Sequence, residues 1–161
     1  MIPEQRFENM DTSVRKYLAD NWAITPIEWP DSQFPDAGNV NEWIQPTLMK
    51  GPRAFRRQVA PGKLGARLTL LFNVNVNLKC EFVETENPNR RIELVDLLFD
   101  LFKENSAVPF KDYVGNPTTP DLLGVIQCYD FADRSIGKDA GRGLYVHNCT
   151  STMFVTEERE V

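Results

Sequence analysis

Residues 64–104 read LGARLTLLFNVNVNLKCEFVETENPNRRIELVDLLFDLFKE, and two periodicities meet in them. Every even position from Leu64 to Phe82 is apolar, while Arg67, Thr69, Asn73, Asn75, Asn77, Lys79 and Glu81 hold most of the odd ones. A repeat of two belongs to a strand with one buried face, here predicted over Leu64–Val83. At about 3.3 Å per residue such a strand runs on the order of 60 Å. It must bend, or project as a ribbon that pairs with or lies on another molecule.

The period then changes to that of a helix, predicted from Asn87 as N-cap, with Pro88 in the first turn, through Glu104. Asn89, Glu93, Asp96, Asp100 and Lys103 form one narrow polar stripe, and apolar side chains fill the rest of the circumference. That is more apolar surface than a helix lying on one sheet needs. A second element or a neighbouring subunit must cover the remainder.

The 161 residues suit a single domain, 1–161. The net charge is −5, yet residues 50–67 hold Lys50, Arg53, Arg56, Arg57, Lys63 and Arg67 with no acid. Such a split favours meeting copies of the same chain, or another acidic partner, through one basic segment. Cys80, Cys128 and Cys149 show no paired spacing, which fits buried thiols in a reducing compartment. The start MIPEQRFENM lacks the pattern of a secretory signal, and no apolar run is long enough to span a membrane.

Elsewhere, Phe7, Met10, Val14, Tyr17, Leu18 and Trp22 mark one face of a first helix. ITPIEWPDSQFPDAG, from Ile24, is an extended connector with Ile27, Trp29 and Phe34 as anchors. Asn41–Lys50 reads as an edge or bulged strand because of Pro46. Gly51, Pro52, Pro61 and Gly62 bracket an expected flexible loop over about 50–63. Asn105–Pro120 receives no regular structure. Leu122–Phe131 and Leu144–Val155 read as a hairpin with a long mobile tip over 132–143, and 157–161 as a frayed acidic end. The predicted class is α+β, a mostly antiparallel sheet with two helices packed on one face and long strand or hairpin projections.

Signals for chemistry are sparse. His147 shares a strand face with Cys149, but no third residue orients the pair for nucleophilic catalysis, and neither CxxC nor HxxxH spacing supports zinc. Asp96 with Asp100, and Asp130 with Asp133, have no reason for a raised pKa. IGKDAGRG lacks the phosphate-loop pattern and leads into a strand. No enzyme activity, metal or cofactor is therefore expected. The two alternatives from other classes are a small cytosolic enzyme using Cys149 and His147, and a nucleic-acid-binding module using the basic segment, with Phe55 stacking on a base.

The order of helix, IEWPDSQFP stretch, strand (Asn41–Met49), loop (Lys50–Lys63), long strand, helix and closing hairpin (Leu122–Val155) resembles the tail terminator, or tail completion, proteins of long-tailed bacteriophages. The resemblance covers nearly the whole chain. It implies a homo-oligomeric ring, commonly a hexamer, made in the host cytoplasm and placed at the head-proximal end of the virion's tail. Such a ring caps the finished tail tube and offers its other face to a head completion or neck protein. A head-to-tail joining neck protein of the same fold is the runner-up. Nucleic-acid contact is then expected only as genome passage through the lumen. From charge and segment length, the residues expected to meet other subunits or the tube are Lys50, Arg53, Phe55, Arg56, Arg57 and Lys63, together with Arg134, Lys138 and Arg142 on the second hairpin.

Overall fold

In the computed structural model the backbone is described for residues 7–32, 40–60, 63–139 and 141–160, and the side chains for all of these but 53–60, 63–64 and 157–160. The elements are α1 (Phe7–Asn21), β1 (Glu42–Ala60), β2 (Lys63–Lys79), α2 (Cys80–Thr85), α3 (Arg90–Phe102), β3 (Ala107–Lys111), β4 (Leu122–Asp139) and β5 (Leu144–Glu160). The strands form one antiparallel sheet in the order β1-β2-β5-β4-β3, and the fold is α+β.

The alternation in β2 does what a period of two requires. Leu68, Leu70, Phe72, Val74, Val76 and Leu78 are buried on one face, where Met10, Val14 and Leu18 of α1 and Leu94, Leu98 and Phe102 of α3 complete the core. Phe102 joins the layers: its ring centroid lies 4.9 Å from that of Phe72 and 5.5 Å from that of Tyr17. At the other end of α3, Arg90 grips Glu42 of β1 with Nε and Nη2 at 2.9 and 2.8 Å. The connector is pinned as expected: Ile27 bridges Ile44 in parallel, and Ile27 and Trp29 pack on the core. Phe34 lies outside the described residues. On the opposite face Trp43, Leu144 and Val146, with Val40, make a second, smaller cluster.

Several expected boundaries are corrected. The segment 50–63, expected as a loop, is instead paired: β1 continues to Ala60 against β2. Gly51 and Pro52 fall in a register shift between Lys50 and Arg53, where a residue without an N–H breaks no ladder bond. The turn residues 61 and 62 lie outside the described set. Most of 132–143 is likewise strand, with a shift between Ser135 and Gly137 and a positive φ of 97° at Gly137. The expected frayed end is also paired, Ala66 to Lys63 facing Glu157 to Glu160.

Three further differences are local. β2 stops at Lys79, not Val83, because its partner β5 begins opposite it at Leu144. Beyond that point no strand offers a ladder, and the chain closes into α2, with Thr85 Oγ1 donating to the Glu81 carbonyl. The residue before α3 is Asn89, two residues later than Asn87. Asn105–Pro120, given no structure from sequence, contains β3, with Val108 and Phe110 buried and Pro109 facing out on an edge strand.

Candidate functional site

The residues expected to meet partners are divided by the structure between opposite ends of the sheet. Arg53, Phe55, Arg56 and Arg57 stand on the distal half of β1, and Lys63 begins β2. From Leu68, which faces Arg53, to Lys63, which faces Ala60, this arm extends about 17 Å at 3.3 Å per residue. The last four residues of β5 run beside it as a third strand, so Glu157, Glu158 and Glu160 stand close to the basic run. Five basic residues of 53–67 against three glutamates and Arg159 leave the arm positive. Lys50 does not join it: its Nζ lies 5.2 Å from the centroid of the Phe7 ring, on the helix side.

The three residues from the second hairpin lie toward the other end, and two of them are engaged within the molecule. Lys138 pairs with Glu84 of α2 at 3.1 Å, and Tyr145 donates to the same carboxylate at 3.0 Å. Those hydrogen bonds, Lys138's first, hold the Glu84 carboxyl below its ordinary range. Arg142 pairs with Asp139 at 2.7 Å. Arg134 lies on the helix-free face, where with Leu71, Asn73, Ala132, Asp133, Asn148 and Thr150 it lines a shallow trough of about 360 Å³.

Sequence reading missed what that helix-free face is made of. Asn148 donates to Asn75 at 2.9 Å, Thr150 to Asn73 at 2.6 Å, and Asn77 to Gln45 at 2.7 Å. Gln45 donates in turn to Glu28 of the connector. The asparagines at 73, 75 and 77 were visible as polar alternation, but the partners of Asn73 and Asn75 lie 77 and 73 residues away on β5 and that of Asn77 lies 32 residues away on β1, where no local pattern marks them. The result is a neutral amide and hydroxyl ladder whose polar groups largely satisfy each other.

The Cys149 and His147 pair gains a neighbour that sequence did not identify. His147 Nε2 stands 2.7 Å from Asp133 Oδ1, and its Nδ1 is buried with no hydrogen-bond partner among the described residues. Cys149 faces the same side but is only 1% exposed. Burial, with the Asp133 carboxylate adding to it, pushes its thiol up to about 12, leaving about one thiolate in 10^5 at pH 7. A nucleophilic cysteine needs the opposite shift. Cys128 is also buried and its thiol raised by that burial. In the folded protein Cys128 and Cys149 should stay unmodified by an aromatic disulfide at pH 8 and react once urea unfolds the chain. Mapping that found Cys149 labelled in the native state at the rate of a free thiol would bring the catalytic reading back.

The surface of α3 completes the inventory. Its core side is buried, while Ile92, Leu97 and Phe99 remain exposed, Ile92 to 54% and Phe99 to 44%. Glu93, Asp96 and Asp100 are exposed among them. Among the described residues no group of three or more histidine, cysteine, aspartate and glutamate side chains is placed to hold a metal ion, and no helix is long and apolar enough to cross a membrane. Compared with known proteins, the chain matches no family model and no curated sequence.

Proposed function

We propose that the chain is a structural virion protein that assembles as a ring, caps the completed phage tail tube and presents a surface to the head or neck. The observation that carries this reading is α3, which seats one side in the core and leaves Ile92, Leu97 and Phe99 partly exposed outside it, Phe99 with its ring also edge-on to Phe131 at 5.5 Å. Ile92 with Phe99 on one margin and Leu97 on the other flank the stripe of Glu93, Asp96 and Asp100, and apolar side chains left open in this way are what an assembling subunit can bury. The order of elements, which resembles tail terminator proteins, supplies the identity of the assembly. The buried, raised thiols of Cys128 and Cys149 favour a structural role over nucleophilic catalysis. The partners in this reading are further copies of the chain, the tube protein and a neck or head completion protein.

The test is native mass by light scattering coupled to gel filtration, with negative-stain images of the same fraction. A multimeric mass with closed rings is the expected result. A chain that stays monomeric as concentration rises, or one that grows into open filaments, overturns the ring.

A further inference from the structure

We infer that the β1–β2 arm of one copy docks on the exposed face of α3 of the next copy, and that this single heterologous contact, repeated, is what builds the assembly. The inference deepens the ring reading and rests on it. Its first support is complementarity. Ile92, Asp96 and Phe99 follow one line along α3, and Glu93, Leu97 and Asp100 the next, so apolar and acidic side chains interleave over one exposed surface. Asp96 and Asp100 have no ion pair among the described residues, whereas Glu93 is held at 3.2 Å by Arg90. At the C-terminal end stands Lys103, its Nζ 6.0 Å from the centroid of the Phe99 ring. The arm segment RAFRRQVA carries the matching composition, three arginines with Phe55 among them and Val59 just after them. Opposed charges around apolar anchors set register and partner choice, and the desolvated anchors hold the contact.

The second support is position, which excludes the same contact within one molecule. Phe102 packs on Phe72, and Arg90 holds Glu42, which pairs with Leu78. α3 therefore lies beside β2 from residue 72 to residue 78, with Ile92 toward the far end. The arm begins at the level of Leu68 and runs the other way to Lys63. Its tip stands roughly 30 Å or more along the sheet from Phe99, at 3.3 Å per residue. Donor and acceptor thus belong to opposite ends of one chain. A contact between two different surfaces is heterologous, and repeating it yields a ring when the rotation closes.

Charge exchange tests this with an assembly readout. Arg56→Glu/Arg57→Glu and Asp96→Lys/Asp100→Lys are expected each to abolish self-assembly while leaving a folded monomer by circular dichroism. Mixing the two variants in equal amounts should restore assembly, because each then offers what the other lacks. Joining all four substitutions in one chain should restore it as well. If the α3 variant assembles like the unaltered chain, or if mixing rescues nothing, the docking is overturned while the ring reading stands. If the unaltered chain never assembles, both fall together. Should rescue fail while the arm variant alone loses assembly, the arm meets some other surface, and the α3 assignment is wrong.

Discussion

Phe102→Ala should lower the stability of the folded monomer by about 4 kcal/mol, the range for emptying a large aromatic site. For a chain of this length that corresponds to a fall of about 10 °C in melting temperature. The size follows from what the ring touches. It is 1% exposed, lies tilted against Phe72 of the sheet at 4.9 Å and meets Tyr17 of α1 edge-on at 5.5 Å. The backbone around it is tied down as well, with Ser151 donating to the Phe102 carbonyl and Tyr17 to that of Leu101, both at 3.1 Å. The neighbours are therefore poorly placed to collapse into the cavity. Phe99→Ala, one turn earlier on the exposed side, should cost no more than about 1 kcal/mol when both variants are compared by urea titration. A loss below that figure for Phe102→Ala would mean that α3 is not seated as described.

The second large effect belongs to Asn9, which is fully buried and fastens α1 to the segment after β3. Its Nδ2 donates to Asp112 at 2.9 Å, and its Oδ1 accepts the Val114 amide at 3.0 Å. Next to it, Ser13 accepts the Lys111 amide at 3.0 Å. Asn9→Ala removes a donor and an acceptor at once and should cost about 2 kcal/mol, with the Val114 amide losing protection from hydrogen exchange before the β2 and β5 amides do. Asn9→Asp separates the two roles. The new carboxylate still accepts from Val114 but has no proton for Asp112, and two like charges face each other at neutral pH. That variant should recover part of its deficit as pH falls through the carboxylate range, because one shared proton turns repulsion back into a hydrogen bond. The unaltered protein, with no second carboxylate there, lacks that recovery. Equal pH profiles for the two proteins would refute the clasp.

These sites show where a single chain of residues can and cannot be read. The period of two in β2 identified its buried row correctly, since burial on one face is a property each residue expresses in its own hydrophobicity. The first helix was readable for the same reason. The arm was not, because Gly51, Pro52 and a run of charge look like a loop locally. What makes it strand is a ladder to β2 and, through β2, to residues 157–160 at the other end of the sequence. The second hairpin failed likewise: a shift between Cys128 and Asp130 exchanges the faces of β4, so that Ile126 and Cys128 are core-facing before it and Phe131 after it. No single alternation spans such a point. Charge identified the arm's basic residues as candidates, yet composition alone could not say that Lys138 and Arg142 have partners at hand in Glu84 and Asp139.

The strand order has a consequence for how the chain reaches this state. β1 with β2, and β4 with β5, are local hairpins, whereas the central ladder joins Lys79 to Leu144 across α2, α3, β3 and β4. Hairpins close within microseconds, but a ladder between such distant segments must first overcome the entropy of closing the intervening chain. During synthesis β2, the strand with the longest apolar row, therefore waits with one edge open until β5 has been made. That interval is when an incomplete chain would pair with its neighbours wrongly. Yield of folded protein should thus depend on how quickly the last strand arrives more than on the final stability of the sheet.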